Sequence, residues 1–158
     1  MKNIVLIFLG IVIGVIASLG SVALMAPRLM LVENLSPLPL EETVKAISVA
    51  AEKANWTISG VAELEKSVKK HGGPEVLPVR LINLCQAHHA GKILADDQAR
   101  IASVLMPCTI SVYTKSDGKT YIGSMNAGLM AKLFGGTIGE VMGGAVATEQ
   151  QSFIQAAR

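Results

Sequence analysis

Cys85, His88 and His89 form a C-x2-H-H group where an apolar run gives way to a helical pattern. Thiolate and imidazole bind zinc, copper and haem iron well. Cys108 opens a second apolar run, so neighbouring strands would bring its sulfur towards that of Cys85. Met106 and Met125 add thioethers at the same end. The soft-metal set read from these residues is Cys85, His88 and Cys108. The wider cofactor set adds His89, Met106 and Met125. No C-x-x-C-H motif is present, so a haem here would be non-covalent, and the paired ligand elements of a zinc finger are absent. Each residue also has a plain structural use: free cysteine packs as a small hydrophobe, and methionine at helical spacing is commonly core.

A second chemistry uses Cys85 and Cys108 as a reversible dithiol. Such centres favour a C-x-x-C motif or a thiol beside a cation, whereas 22 residues separate these two. Hydrolysis finds little support, because Ser59 and Ser124 lack a nucleophile elbow. Gly135-Gly136 and Gly143-Gly144 lack the strand that precedes a nucleotide fingerprint, and suit close helix packing instead. Asp96-Asp97 reads as an exposed turn. No catalytic residue set emerges.

The elements that position these residues follow from periodicity. Val44, Ile47 and Ala51 recur at helical spacing over 40–54, with Glu41 and Glu42 in the first turn, where the helix dipole favours negative charge. Short strands are expected near 56–61 and 75–84, with a short helix at 63–71 ended by Gly72-Gly73. Residues 88–95 and 97–106 read as helical. Residues 108–114 alternate, with Ile110 and Val112 opposing Thr109, Ser111 and Tyr113. Asp117-Gly118 turns the chain into a partner strand at 120–124. The tail from 130 to 157 reads as helix broken at the two glycine pairs. Mixed helices and an antiparallel hairpin predict an α+β sandwich, with helices on one face of a small antiparallel-containing sheet.

The N-terminal run from Ile4 to Met25 holds no charge, Asn, Gln or Pro. As a helix it would measure roughly 33 Å against a hydrocarbon core of ~30 Å. The expectation is a transmembrane anchor at 1–31, a linker at 32–40 held extended by Pro37 and Pro39, and one domain at 41–158. A cleaved signal peptide is the rival reading; its apolar region would be shorter. Lys2 and the N-terminus before the span, against Arg28 after it, favour a single-pass protein in the cytoplasmic membrane with its domain in the periplasm. The bilayer is then a partner. Gly10, Gly14 and Ser18 share one helix face, suited to a second copy or to a membrane complex.

Residues 33–158 carry nine Lys, three Arg and twelve acidic residues, a formal charge of zero. Nucleic-acid binding has no electrostatic footprint in such a balance.

Taken in order, several motifs resemble the bacterial and archaeal family named domain of unknown function 302. They are residues 80–85 (Arg-Leu-Ile-Asn-Leu-Cys), the stretch 87–94, residues 105–113 (Leu-Met-Pro-Cys-Thr-Ile-Ser-Val-Tyr), Asp117-Gly118-Lys119-Thr120-Tyr121, and Met125-Asn126. The resemblance covers about 43–155. It implies a small α+β fold similar in outline to helix-grip domains, often dimeric, and no settled reaction. The chain departs from the family pattern after the first cysteine, where Gln86, Ala87, His88 and His89 replace an Asn-Pro-like step. The functional expectation is a membrane-anchored periplasmic binding or accessory protein. It would hold haem or a soft metal, or serve as a small subunit of an electron-transfer complex. A thiol-redox protein and a purely structural interaction subunit are the alternatives.

Overall fold

The computed structural model describes the backbone of residues 2–158 and the side chains of residues 10–22, 24 and 29–158. The chain divides into two units, 1–30 and 31–158.

The first unit is helix α1 (Lys2–Met30). Among the described residues, no helix is long and apolar enough to cross a membrane. That finding corrects the expected transmembrane anchor and the single-pass periplasmic placement. The side chains of Lys2 and Arg28, on which the orientation rested, lie outside the described residues. On the face carrying Gly10 and Gly14, Ser18 Oγ donates to the Gly14 carbonyl at 2.8 Å.

The second unit is α+β. Its elements are β1 (Leu31–Ser36), α2 (Leu40–Lys53), β2 (Thr57–Glu63), α3 (Leu64–Lys70), β3 (Val79–Cys85), α4 (Ala87–Ala95), β4 (Cys108–Thr114), β5 (Thr120–Met125), α5 (Ala127–Phe134), α6 (Gly136–Val141) and α7 (Ala147–Gln155). A 3-10 turn covers Arg100–Leu105, and a π turn, Met142–Val146, joins α6 to α7. The sheet runs β1-β5-β4-β3-β2, and every neighbouring pair is antiparallel. The expected linker therefore begins as an edge strand, paired from Leu31↔Met125 to Ser36↔Thr120.

Alternation along the strands sends one set of side chains under the helices. Ile82, Leu84, Ile110, Val112 and Ile122 are buried there against Ile47 of α2 and Phe153 and Ile154 of α7. On the other face, the cross-strand pair Tyr113 and Tyr121 stacks with ring centroids 6.1 Å apart. Lys115 sits 4.1 Å over the Tyr121 ring. Gly123 makes room for this, since a Cβ there would lie 3.2 Å from the Tyr113 ring. Burial and the Glu33 carboxylate, which accepts from its hydroxyl, push the Tyr113 pKa up to about 12.

The glycine pairs act as expected, as breaks and as close-packing sites. Gly135 and Gly136 take φ of 62° and 51°, which ends α5. At Gly143 a Cβ would come within 2.7 Å of the Ala131 Cβ, so α5 and the π turn approach to a distance only glycine permits.

Two polar clusters tie the elements together. Ser36 Oγ donates to the Ala157 carbonyl at 2.8 Å, accepts from Leu38 N at 3.2 Å and lies 2.8 Å from Thr43 Oγ1. Both hydroxyls are buried. The cluster joins the edge strand, the start of α2 and the C-terminus. Removing one hydroxyl leaves a buried carbonyl unpaired, at a cost of about 1–3 kcal/mol. Ser36→Ala should lower the unfolding free energy by that amount in denaturant titrations, with the native circular dichroism spectrum retained.

Arg80 organises the second cluster. Its side chain, 13% exposed, contacts Glu41 at 2.9 Å, Glu63 at 3.5 Å and Glu65. Burial raises the Glu65 pKa, but the Val79 N–H and the Arg80 guanidinium outweigh it and hold the carboxyl below its ordinary 4.5. A carboxylate with a depressed folded pKa contributes stability that is present above the unfolded value and lost as pH falls through the folded one. In Arg80→Met three carboxylates share a site without their counter-charge. Thermal melts should show a large loss for this variant at pH 7, narrowing as the pH drops below 4.5. A pH-independent gap would contradict this account.

Candidate functional site

The predicted residues converge where β3 runs into α4 and β4 begins. Gln86 is the N-cap of α4: its side-chain oxygen accepts from His89 N at 2.8 Å. Capping fixes the first turn of the helix. It leaves His88 exposed and turns His89 inward.

His89 Nε2 lies 3.3 Å from Glu149 Oε2 on α7. Trp56 Nε1 donates to the same oxygen at 2.6 Å. The His89 ring meets the Trp56 ring edge-on at 5.9 Å, and Trp56 packs edge-on against Phe153 at 5.7 Å. One carboxylate thus orients an indole and an imidazole that come from different elements.

The two cysteines are free. Register separates them. Cys108 pairs with buried Leu84, whereas Cys85 pairs with exposed Thr57. Paired residues share a face and successive residues alternate. Cys108 therefore points under the helices and packs on the core, while Cys85 ends β3 one residue past Leu84. Burial, then the neighbouring Cys85, pushes the Cys108 thiol above its ordinary pKa.

A cavity of about 40 Å³ lies between the strand ends and the helices. Cys85, His89, Met106 and Cys108 border it, with Trp56, Gln86, Ala102 and Met142. A second hollow of about 340 Å³ lies beyond Met106, Pro107 and Cys108 and includes Met125. Five of the six residues singled out from the sequence thus border the two cavities, and His88 borders neither.

Among the described residues, no group of three His, Cys, Asp or Glu side chains is placed to hold a metal ion. This overturns the metal and haem assignments. The physical reason is the exposed His88, which borders neither cavity and so leaves Cys85 and Cys108 without the third member of that set. Sequence reasoning missed Trp56, Glu149 and Met142. Trp56 carried a usable signal as the only tryptophan of the chain. Glu149 carried none, because its partners stand 60 and 93 residues away.

Asp96 accepts from Thr137 Oγ1 at 2.6 Å and from the N–H groups of Gln98 and Ala99. It is a capping residue that ties the turn after α4 to α6.

The thiol geometry has a direct consequence. Air-oxidised and reduced protein should melt at the same temperature, and thiol titration of the unfolded chain should count two free groups in both. An intrachain bridge in the oxidised sample would overturn the reading of Cys85 and Cys108 as two free thiols.

No curated protein matches the chain. Among solved structures it is similar to an uncharacterised conserved DUF302 protein from Bacillus stearothermophilus, with a TM-score of 0.71 at 13% identity, covering 82% of this chain and 98% of that one. At that identity the likeness speaks for the fold. The sequence itself matches the family described as domain of unknown function DUF302 over residues 32–157, the whole of the sheet-and-helix unit bar its first and last residues. The chain therefore belongs to the DUF302 family.

Proposed function

We propose that this domain is a binding module for a small, largely apolar molecule, seated in the cavity bordered by Trp56, His89, Met106 and Cys108. The observation that carries the reading is the character of those walls. Apart from Gln86, His89 and the thiols, the cavity is bordered by Trp, Pro and aliphatic or thioether side chains. An apolar enclosure with a few convergent polar groups is the usual form of a ligand site.

Magnitudes divide the work between the two hollows. A single water needs about 10–15 Å³, so the inner cavity encloses only a few non-hydrogen atoms. At a ceiling near −1.5 kcal/mol per atom, such a ligand binds weakly through this part alone. The 340 Å³ hollow supplies room for the rest of a larger ligand. The two share Met106, Cys108 and Met142 as borders. Methionine is unbranched and adapts to irregular shapes, so these thioethers suit a wall that shifts to admit a longer molecule. The Cys108 thiol, held protonated by burial, serves as part of the wall.

Trp56 supplies the reporter, being the only indole in the chain. Xenon under pressure should quench Trp56 fluorescence and shift the methyl resonances of Ile93, Ala102 and Met106 saturably. Ala102→Leu, which places three more carbons in the cavity, should abolish both responses while unfolding stays cooperative. Unchanged wild-type signals, or an equal response in the filled variant, would defeat the reading.

A further inference from the structure

We propose that the ligand of this cavity is an uncharged molecule that presents a hydroxyl group to His89 and Gln86. This inference rests on the binding-module reading and specifies the chemistry of the same site.

The polar inventory of the wall is short. Two groups on the border bear strong hydrogen-bonding side chains that are only partly used, Gln86 and His89. Glu149 Oε2 stands 3.3 Å from His89 Nε2. The same oxygen is fixed by the Trp56 N–H. A carboxylate accepts only, so the Nε2 that faces it carries a proton, and Nδ1 is the ring nitrogen open to a ligand. Gln86 spends its side-chain oxygen on the His89 backbone N–H, which leaves its amide N–H groups as donors. The wall therefore offers one acceptor and one donor within a single turn of chain.

A hydroxyl matches both, donating to Nδ1 while accepting from the Gln86 amide. A ketone or ether satisfies only the amide. An anion has no counter-charge, because no Lys or Arg borders the cavity, and the Glu149 carboxylate behind His89 repels it. A cation would face an imidazole and an amide, with Glu149 already engaged by two donors. Neutral ligands with a short aliphatic end carrying a hydroxyl remain, any larger portion extending towards the hollow beyond Met106.

Small probes separate the two levels of the argument. 2-Propanol and acetone have the same number of non-hydrogen atoms and differ in the proton the alcohol can donate. Titrated into the full-length protein and followed by the Ala102 and Ile93 methyl shifts, 2-propanol should bind about three- to ten-fold more tightly, the worth of one net hydrogen bond. His89→Phe keeps the aromatic contact with Trp56 and removes Nδ1, so it should erase the preference. A variant-free check is the ¹⁵N spectrum of the His89 ring: the Nδ1 signal should move with 2-propanol and stay with acetone. Equal affinities, a preference that survives in His89→Phe, or an unmoved Nδ1 signal would overturn the hydroxyl assignment. Xenon binding retained in any of those cases leaves the binding-module reading standing. A protein silent to xenon as well would bring down both.

Discussion

A sheet with helices on one side must sort its residues by parity, and this constraint governs most of the molecule. Each strand has one set of side chains that leaves water and one that meets it, with no middle choice. Ile82 and Leu84 on β3, Ile110 and Val112 on β4 and Ile122 on β5 form the covered set. Their burial fixes register, because a slip of one residue would expose all of them together. The same parity decides the fate of the thiols. Cys108 shares the phase of Ile110 and is drawn inward, and Cys85 is out of phase with Leu84. Two residues that look equivalent in the sequence thus receive different strand registers, although both border the same cavity.

The strap that leads into β4 completes the picture. Leu105, Met106 and Pro107 pass between the two hollows and border both. The 3-10 turn before it carries Ile101 and Val104, exposed at 75% and 81%. Much of the apolar surface around the binding region is thus presented by a short irregular segment rather than by regular elements. Irregular segments open at lower free energy than packed strands and helices, so they are the natural place for a route to an enclosed space.

Much of this was legible in the chain because it is local. The alternation of 108–114, the Asp117-Gly118 turn and the spacing of Val44, Ile47 and Ala51 each act within a few residues, and the elements form where those patterns stand. What failed depends on distant partners. β1 read as part of a linker because Pro37 and Pro39 favour an extended path, yet β5, some ninety residues on, supplies its hydrogen bonds. The metal set failed for a related reason: composition identifies capable ligands, while register and capping decide whether they meet. Gln86 stood out as a departure from the family pattern, and its role as N-cap is what turns His89 inward and His88 outward. The apolar run at the N-terminus illustrates a different limit. Hydropathy counts apolar residues, and among the described residues no helix reaches the length and apolarity that spanning a bilayer demands.

The buried knot of Ser36, Thr43 and Ala157 joins the first strand of the domain to its penultimate residue. During synthesis, β1 leaves the ribosome long before either the strand that flanks it or the carbonyl that anchors it. The edge of the sheet therefore closes only after β5 and the Ala157 carbonyl have both emerged. Losing Ala157 would take away the acceptor of the Ser36 hydroxyl and leave the edge strand held by β5 alone.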